Sequence, residues 1–360
     1  MSTKRKDGRL QKGVTIDGVR HYVYGYTERE IAERIAELWD EKYNGIQNDI
    51  TFEAYAWHWI NVALVEKSLN TYISYERAMR HMIDQIGRLR VQDIKRSEIE
   101  QALNEYVDTP NTRVKMLMVT RMILGMAVDD GICKNNAAQN IRIQKPHPEE
   151  RERLSKKETE AVTKADLPTD LRLLVDIFYY TGIRKGEALG LTRKSIGDGV
   201  LHITEQRQFD KQGAPYTTTL KSKNAARDVP ITAELERRIR AFAKTTDTIY
   251  LFERISTRHK FSAAWKKVEI AFLKILKPDY KTGRKGLRDV TKKQIPCRIT
   301  PHVLRHNYAS ILHDKGIDVL VAQKLLGHSS IATTLGIYTH LDKGAETKRF
   351  DDIRDIFEAM

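Results

Sequence analysis

The sequence predicts a mainly helical α+β protein with small sheets: a β-sheet-plus-helix unit first, then an all-helical stretch, then a mixed, mostly helical C-terminal half. Three observations carry that reading. Asp17-Gly18 lies between alternating runs near the N-terminus, apolar residues recur at helical spacing from Ile50 to Ile143, and two strand-like runs sit among helices after Leu154.

In order along the chain, Met1 to Lys6 reads as a short basic tail, mobile until it meets a phosphate backbone. Val14-Thr15-Ile16 and Val19 to Tyr24 then flank the Asp-Gly turn, the strongest short-range hairpin signal. Thr27-Glu28-Arg29-Glu30 reads as a capping box that opens a helix to about Tyr43, with Ile31, Ile35 and Leu38 on one face. Arg9, Lys12, Arg20 and Tyr22 stand on this sheet as candidates for contact with a DNA groove; a dimerisation or packing module is the competing reading of residues 1–48.

Residues 49–143 read as four or five helices. Phe52, Tyr55, Trp59 and Ala63 form one apolar stripe and Tyr72, Tyr75, Met79, Met82 and Ile86 another, with a helix start at Ser97. Arg77, Arg80, Arg113 and Lys115 are candidate phosphate contacts, which give affinity without sequence information. Two prolines and a charge cluster make 144–153 a linker, and Ser155 to Glu158 opens the last segment, 154–360, with a capping box.

The composition sets bounds. A chain of 360 residues with 41% hydrophobic content can build two or three domains, and a formal charge of +14 with a pI near 9.5 attracts polyanions, nucleic acid before membrane. The absence of an 18-residue apolar stretch or a secretory leader leads to the expectation of a cytoplasmic, nucleoid-associated protein with no membrane partner. Cys133 and Cys297 are far apart and lack metal or disulfide spacing, and no phosphate-binding glycine loop is present, so neither cofactor, metal nor ATP is expected.

The chemistry concentrates between Thr300 and His340. Val303, Ala309, Leu312, Val319, Leu320, Ala322, Leu325 and Leu326 keep helical spacing, interrupted by His302, Arg305, His328 and Tyr338. Such a set suits displacement at a phosphodiester, where a phenol attacks phosphorus, a base takes its proton, and cations hold the non-bridging oxygens. Arginine is the better cation because its planar fork stays charged and donates in parallel. A second arginine, Arg184, follows the apolar run Leu171 to Tyr180 and the helix-ending Gly182, with Glu187 one turn on. Two strand-like runs, Val200 to Gln206 and Tyr216 to Leu220, lead to a hairpin tip that carries Lys221, Lys223 and then Arg227.

The ordered set Arg184, Lys221, His302-x-x-Arg305, Leu326-Gly327-His328 and Tyr338-Thr339-His340 resembles the tyrosine recombinases, or phage integrase family, over Leu154 to about His340. Ten residues separate His328 from Tyr338, one more than in some members and in line with the transposon-type branch. More loosely, the front half resembles three-domain integrases of temperate phages and conjugative transposons, which implies an arm-type DNA-binding domain at 1–48 and a core-binding domain at 49–143.

That resemblance implies Tyr338 as the nucleophile of a 3′-phosphotyrosyl bond, Arg184, Arg305 and His328 on the phosphate, and Lys221 as proton donor to the leaving 5′ oxygen. His302 suits the base because its ordinary pKa is near neutral. Glu187 would orient His302 or an arginine, and Arg227 would steady the hairpin or touch a phosphate. The expected partners are double-stranded DNA at core and arm sites, further copies in a tetramer joined by the amphipathic tail 344–360, and an accessory DNA-bending or excision factor. His302 and His306 are spaced to ligate a metal, but no carboxylate lies between them and Arg305 opposes a divalent ion. The alternatives are a type IB topoisomerase-like nicking-closing enzyme and a DNA-binding architectural protein without catalysis.

Overall fold

Backbone alternation places Lys12, Val14 and Ile16 on the covered face of the first hairpin and Gly13 and Thr15 on the open one. The computed structural model describes residues 3–16, 19–43, 50–65, 67–106, 110–144, 153–220, 226–278 and 297–342, in two units, Met1–Glu149 and Glu150–Met360.

In the first unit, β2 (Leu10–Ile16) and β3 (Val19–Gly25) pair antiparallel from Leu10↔Gly25 to Ile16↔Val19. Asp17 and Gly18 lie outside the described residues. The segment expected as a mobile tail supplies a third strand instead: β1 (Thr3–Lys4) pairs with Gln11 and Leu10, satisfying backbone groups that the edge of β2 would otherwise leave open. α1 (Glu28–Tyr43) is capped by the Thr27 hydroxyl, which accepts from Glu30 N at 3.1 Å, while the Glu30 carboxylate reaches back to Tyr26 N.

Residues 1–48 and 49–143 share one hydrophobic core. Val14, Ile16, Val23, Ile31, Ile35 and Trp39 are buried together with Phe52, Tyr55 and Trp59 of α2 (Phe52–Ala63) and Met79 and Met82 of α3 (Leu69–Ile86). Trp39 is the joint: it stacks on His58 at 4.2 Å and meets Tyr55 edge-on at 6.3 Å. α4 (Arg96–Glu105) begins before the Ser97 start expected from the sequence. Glu98 reaches back to Lys95 N at 2.7 Å and closes the end there. α5 (Pro110–Asp129) completes the bundle and contributes Met116, Leu117, Ile123 and Leu124 to its interior.

In the second unit, the Ser155–Glu158 capping box forms as read and starts α6 (Lys156–Lys164). α7 (Thr169–Thr181) buries Leu171, Leu174, Val175 and Phe178 and stops at Gly182, whose φ of +62° is the left-handed conformation glycine adopts without a Cβ penalty. α8 (Lys185–Leu189) follows. The run Val200 to Gln206, read as one strand, is two: β4 (Val200–Ile203) pairs with β7 (Arg227–Pro230), and β5 (Glu205–Phe209) with β6 (Pro215–Thr219). The break at Thr204 lets the two strands take different partners. α9 (Ala233–Lys244) and α10 (Arg258–Leu276) cover this core with Leu235, Ile239, Trp265 and Phe272. α11 (Pro301–Asp314), α12 (Val319–Leu326) and α13 (Ile331–Asp342) end the described chain. No helix among the described residues is long and apolar enough to cross a membrane.

Candidate active site

The site is assembled around the end of a two-turn helix. The last carbonyls of any helix lack intrahelical partners and carry the negative end of its dipole, so they draw cations. At the end of α12 three consecutive carbonyls each take a different arginine. Leu325 O accepts from Arg227 Nε at 2.7 Å, Leu326 O from Arg305 Nη2 at 2.5 Å, and Gly327 O from Arg184 Nη2 at 2.7 Å. Gly327 turns the chain at φ +62°, and a Cβ there would stand 2.7 Å from Arg227 Nη1, so the close approach needs glycine.

Each arginine is delivered by a different element. Arg184 sits in the N-cap position of α8, immediately after the Gly182 turn. Arg227 is the first residue of β7. Arg305 lies on the inner face of α11, 5% exposed, and its Nη1 also bonds Gly182 O at 2.8 Å, tying the C-terminus of α7 to that of α12. Of the three, Arg184 is the most open, with 38% of its side chain exposed.

Glu187 balances part of this charge. Its carboxylate accepts from Arg227 Nη2 and Arg184 Nη1, both at 2.8 Å, at 1% exposure. Burial by itself would raise its pKa, but hydrogen bonding from Arg227 and the charges of Arg227 and Arg184 overcome it and bring the group to about 2. Among the described residues these three guanidinium groups share one carboxylate, so positive charge is in excess there. Arg305 registers that excess: burial first and Arg184 next push it down to about 9. A bound anion is what this arrangement is short of.

His328 follows Gly327 directly. Its backbone is clasped by Gln323, the amide N–H donating to Gln323 O at 3.1 Å and the carbonyl accepting from Gln323 Nε2 at 3.1 Å. The ring Nδ1 meets Thr334 Oγ1 at 2.8 Å. Burial, with Arg305 and Arg184 beside it, holds the imidazole down to about 3, so the ring is neutral at physiological pH. With Arg227, Gln323 and Lys324 it lines a cavity of about 460 Å³.

Tyr338 is placed differently. It lies on α13, 8% exposed, its hydroxyl donating to Ile317 O at 3.3 Å and its ring edge-on to His313 at 4.7 Å. Among the described residues its hydroxyl makes no hydrogen bond to an arginine. Burial and the charge of Asp318 raise its pKa. His302 is exposed on α11 and approaches His306, Nε2 to Nε2 at 3.1 Å. Among the described residues no group of three or more His, Cys, Asp or Glu could hold a metal ion. Lys221, Lys223 and the tail 344–360 lie outside the described residues.

The structure thus brings Arg184, Glu187, Arg227, Arg305 and His328 together, while Tyr338 is held at Ile317. Gln323 and Thr334 were not singled out in the sequence, although Thr334 stands six residues after His328 and four before Tyr338. Lys185 was also passed over. It is exposed and sets its ammonium over the rings of Phe209 and Phe261, at 5.2 and 5.3 Å, and so bridges the strand carrying Phe209 and α10 beside Arg184.

The DNA-contact candidates divide as well. Arg9, Arg20 and Tyr22 are exposed, with Arg20 over Tyr22 at 5.4 Å and Arg9 over Tyr24 at 5.9 Å. Lys12 lies on the covered face at 9% exposure. Arg77 and Arg80 are exposed on α3, and Lys115 of α5 bonds Ser74 at 2.7 Å, one turn before Arg77. Arg113 is half-buried on α5.

Residues 152–345 match the family model described as the phage integrase family. The chain belongs to that family. Its relatives include a "Tyrosine recombinase XerC-like" protein of Caldanaerobacter subterraneus subsp. tengcongensis, 26% identical over 377 residues that span 94% of this chain and 92% of the relative. Solved structures that share the fold include two integrases. The Tn1549 transposon integrase in complex with a circular intermediate DNA aligns with a TM-score of 0.66 at 17% identity, over 84% of this chain and 99% of that one. The lambda integrase tetramer bound to a Holliday junction aligns at 0.56 and 19% identity, over 91% of this chain and 95% of that one.

Proposed function

We propose that this enzyme is a site-specific DNA recombinase that integrates and excises a mobile element by cutting and rejoining DNA through a 3′-phosphotyrosine at Tyr338. The observation that carries the reading is the convergence of Arg184, Arg227 and Arg305 on three successive carbonyls directly before His328, with Glu187 the one carboxylate paired to them among the described residues. A phosphodiester supplies the missing negative charge. Arg184 and Arg305 each use two of their guanidinium donors within the protein, which leaves others for the non-bridging oxygens. Their partners are fixed beforehand, so charge growing on phosphorus meets donors already oriented.

A phenol that donates to Ile317 O still holds its proton and cannot attack. Catalysis therefore requires Tyr338 to leave Ile317, with His302 taking the proton and Lys221 protonating the departing 5′ oxygen. The other strand's 5′ hydroxyl then attacks the phosphotyrosine, restoring the phosphodiester and freeing the tyrosine, so no external energy source enters the cycle. Residues 1–48 act as an arm-site module and 49–143 as a core-site module, with Arg9, Arg20, Tyr22, Arg77, Arg80 and Lys115 toward DNA. Four copies assemble on the junction through the tail 344–360, an accessory bending factor assists excision, and the protein works in the cytoplasm at the nucleoid. The lambda integrase tetramer on a Holliday junction supports the assembly.

Two other activities suit the same residue types, a nicking-closing topoisomerase and an architectural DNA-binding protein. The recombinase name carried by a relative matched over nearly its whole length favours neither. The test uses full-length protein and nicked duplexes selected from a random pool by covalent capture. Wild type forms a DNA adduct and recombinant products, and Tyr338→Phe binds DNA without an adduct. Relaxed plasmid without recombinants, or no adduct from wild type, overturns the proposal.

A further inference from the structure

Thr334 is fully buried on α13, one turn before Tyr338, and among the described residues its hydroxyl makes a single hydrogen bond, to His328 Nδ1 at 2.8 Å. Two arrangements fit that distance. In one, Nδ1 carries the proton and donates to Oγ1; the threonine O–H then points into the buried interior with no acceptor among the described residues. In the other, the threonine donates to a bare Nδ1, and both groups are satisfied. A buried hydroxyl proton left without an acceptor is costly, so the second arrangement is favoured. The neutral ring then has its one proton on Nε2.

We infer that Thr334 is a positioning residue: its hydroxyl donates to Nδ1 of His328 and fixes the Nε2–H tautomer, so that the imidazole presents a hydrogen-bond donor to the scissile phosphate. The inference deepens the recombinase reading and rests on it for the phosphate. The tautomer itself follows from the protein alone. It has a consequence for timing. Thr334 and Tyr338 are four residues apart on one helix, and His328 lies in the turn before it, so seating α13 against α12 and His328 sets the donor on the same element that carries the nucleophile. The opposite tautomer would aim a lone pair at a phosphate oxygen and repel it.

The experiment reads the tautomer without turnover. In full-length protein selectively labelled with ¹⁵N-histidine, two-bond proton–nitrogen correlation spectra report which ring nitrogen of His328 bears the proton, with His328→Gln giving the assignment. The expected result is Nε2–H in wild type, loss of that single form in Thr334→Val, and its return in Thr334→Ser. In single-turnover cleavage of the nicked duplex, Thr334→Val is expected to slow adduct formation about 10-fold with DNA affinity unchanged, and Thr334→Ser to recover. Wild-type protein with the proton on Nδ1 overturns the inference whether or not the valine variant folds, as does a Thr334→Val spectrum identical to wild type. Failure of the recombinase reading would show separately, as absence of any Tyr338-dependent adduct.

Discussion

Glu187 and Arg227 form a buried ion pair in which the carboxylate accepts from both terminal guanidinium nitrogens, at 2.8 and 3.2 Å, with the two side chains 1% and 6% exposed. Arg184 shares the same carboxylate. Taking one charge out of water is expensive, and taking out two cations around one anion is tolerable only because α12 adds its terminal carbonyls. Glu187 is thus a structural counter-ion that fixes where two arginines sit.

Removing it should show in stability as well as chemistry. Glu187→Gln is expected to lower unfolding free energy by about 3 kcal/mol at neutral pH, because it takes the carboxylate from the buried Arg227 and from the more open Arg184. The carboxylate's pKa falls from an ordinary 4.5 to about 2 on folding. A depressed folded value stabilises above the unfolded pKa and is lost as pH falls through the folded one. The difference between wild type and Glu187→Gln in urea unfolding should therefore be constant above pH 5 and shrink between about pH 4.5 and 2. A pH-independent difference would show that the charge of Glu187 is immaterial.

Gly182 is constrained twice. Its backbone is left-handed, and an added Cβ would sit 2.5 Å from Tyr308 Cδ1. Gly182→Ala should cost about 2 kcal/mol and, by shifting the carbonyl that holds Arg305 Nη1, slow cleavage more than it weakens DNA binding. Thermal melts and single-turnover assays on one preparation check both parts.

Arg305→Lys tests whether geometry matters beyond charge. A lysine keeps the positive charge but cannot span Gly182 O and Leu326 O with a planar fork. Cleavage is expected to fall about 100-fold or more with affinity for the nicked duplex little changed. Equal losses in both would assign Arg305 to binding alone.

The N-terminal module offers a further check. Trp39→Ala removes the ring held between His58 and Tyr55 and should cost about 3 kcal/mol. Limited proteolysis should then release residues 1–43 faster than in wild type. Unchanged protection would mean that the shared core does not depend on this joint.

Much of this was legible in the sequence, for identifiable reasons. Gly182 and the Ser155–Glu158 box are local signals, and each produced the expected helix end. Arg305 and His328 were found because polar groups broke an apolar helical pattern, and Arg184 because the chemistry asked for a second arginine and Gly182 marked a helix end just before it. What stayed hidden depends on partners distant in sequence. The split at Thr204 follows from β4 pairing with β7 rather than β6, and the first strand follows from an open edge that only the folded sheet has. The burial of Lys12 needed the strand phase relative to α1. Thr334 was silent because a threonine in a helix is ordinary until its hydroxyl is seen against His328.

The most direct test of the central claim is to trap the covalent intermediate and find the amino acid that carries it. Full-length protein is reacted with a nicked duplex whose short cleaved end diffuses away, the adduct is digested with protease, and the DNA-linked peptide is sequenced by mass spectrometry. The account predicts a single 3′-phosphate ester on Tyr338 in the α13 peptide. A linkage to any other residue, or a 5′-phosphate ester, would contradict it.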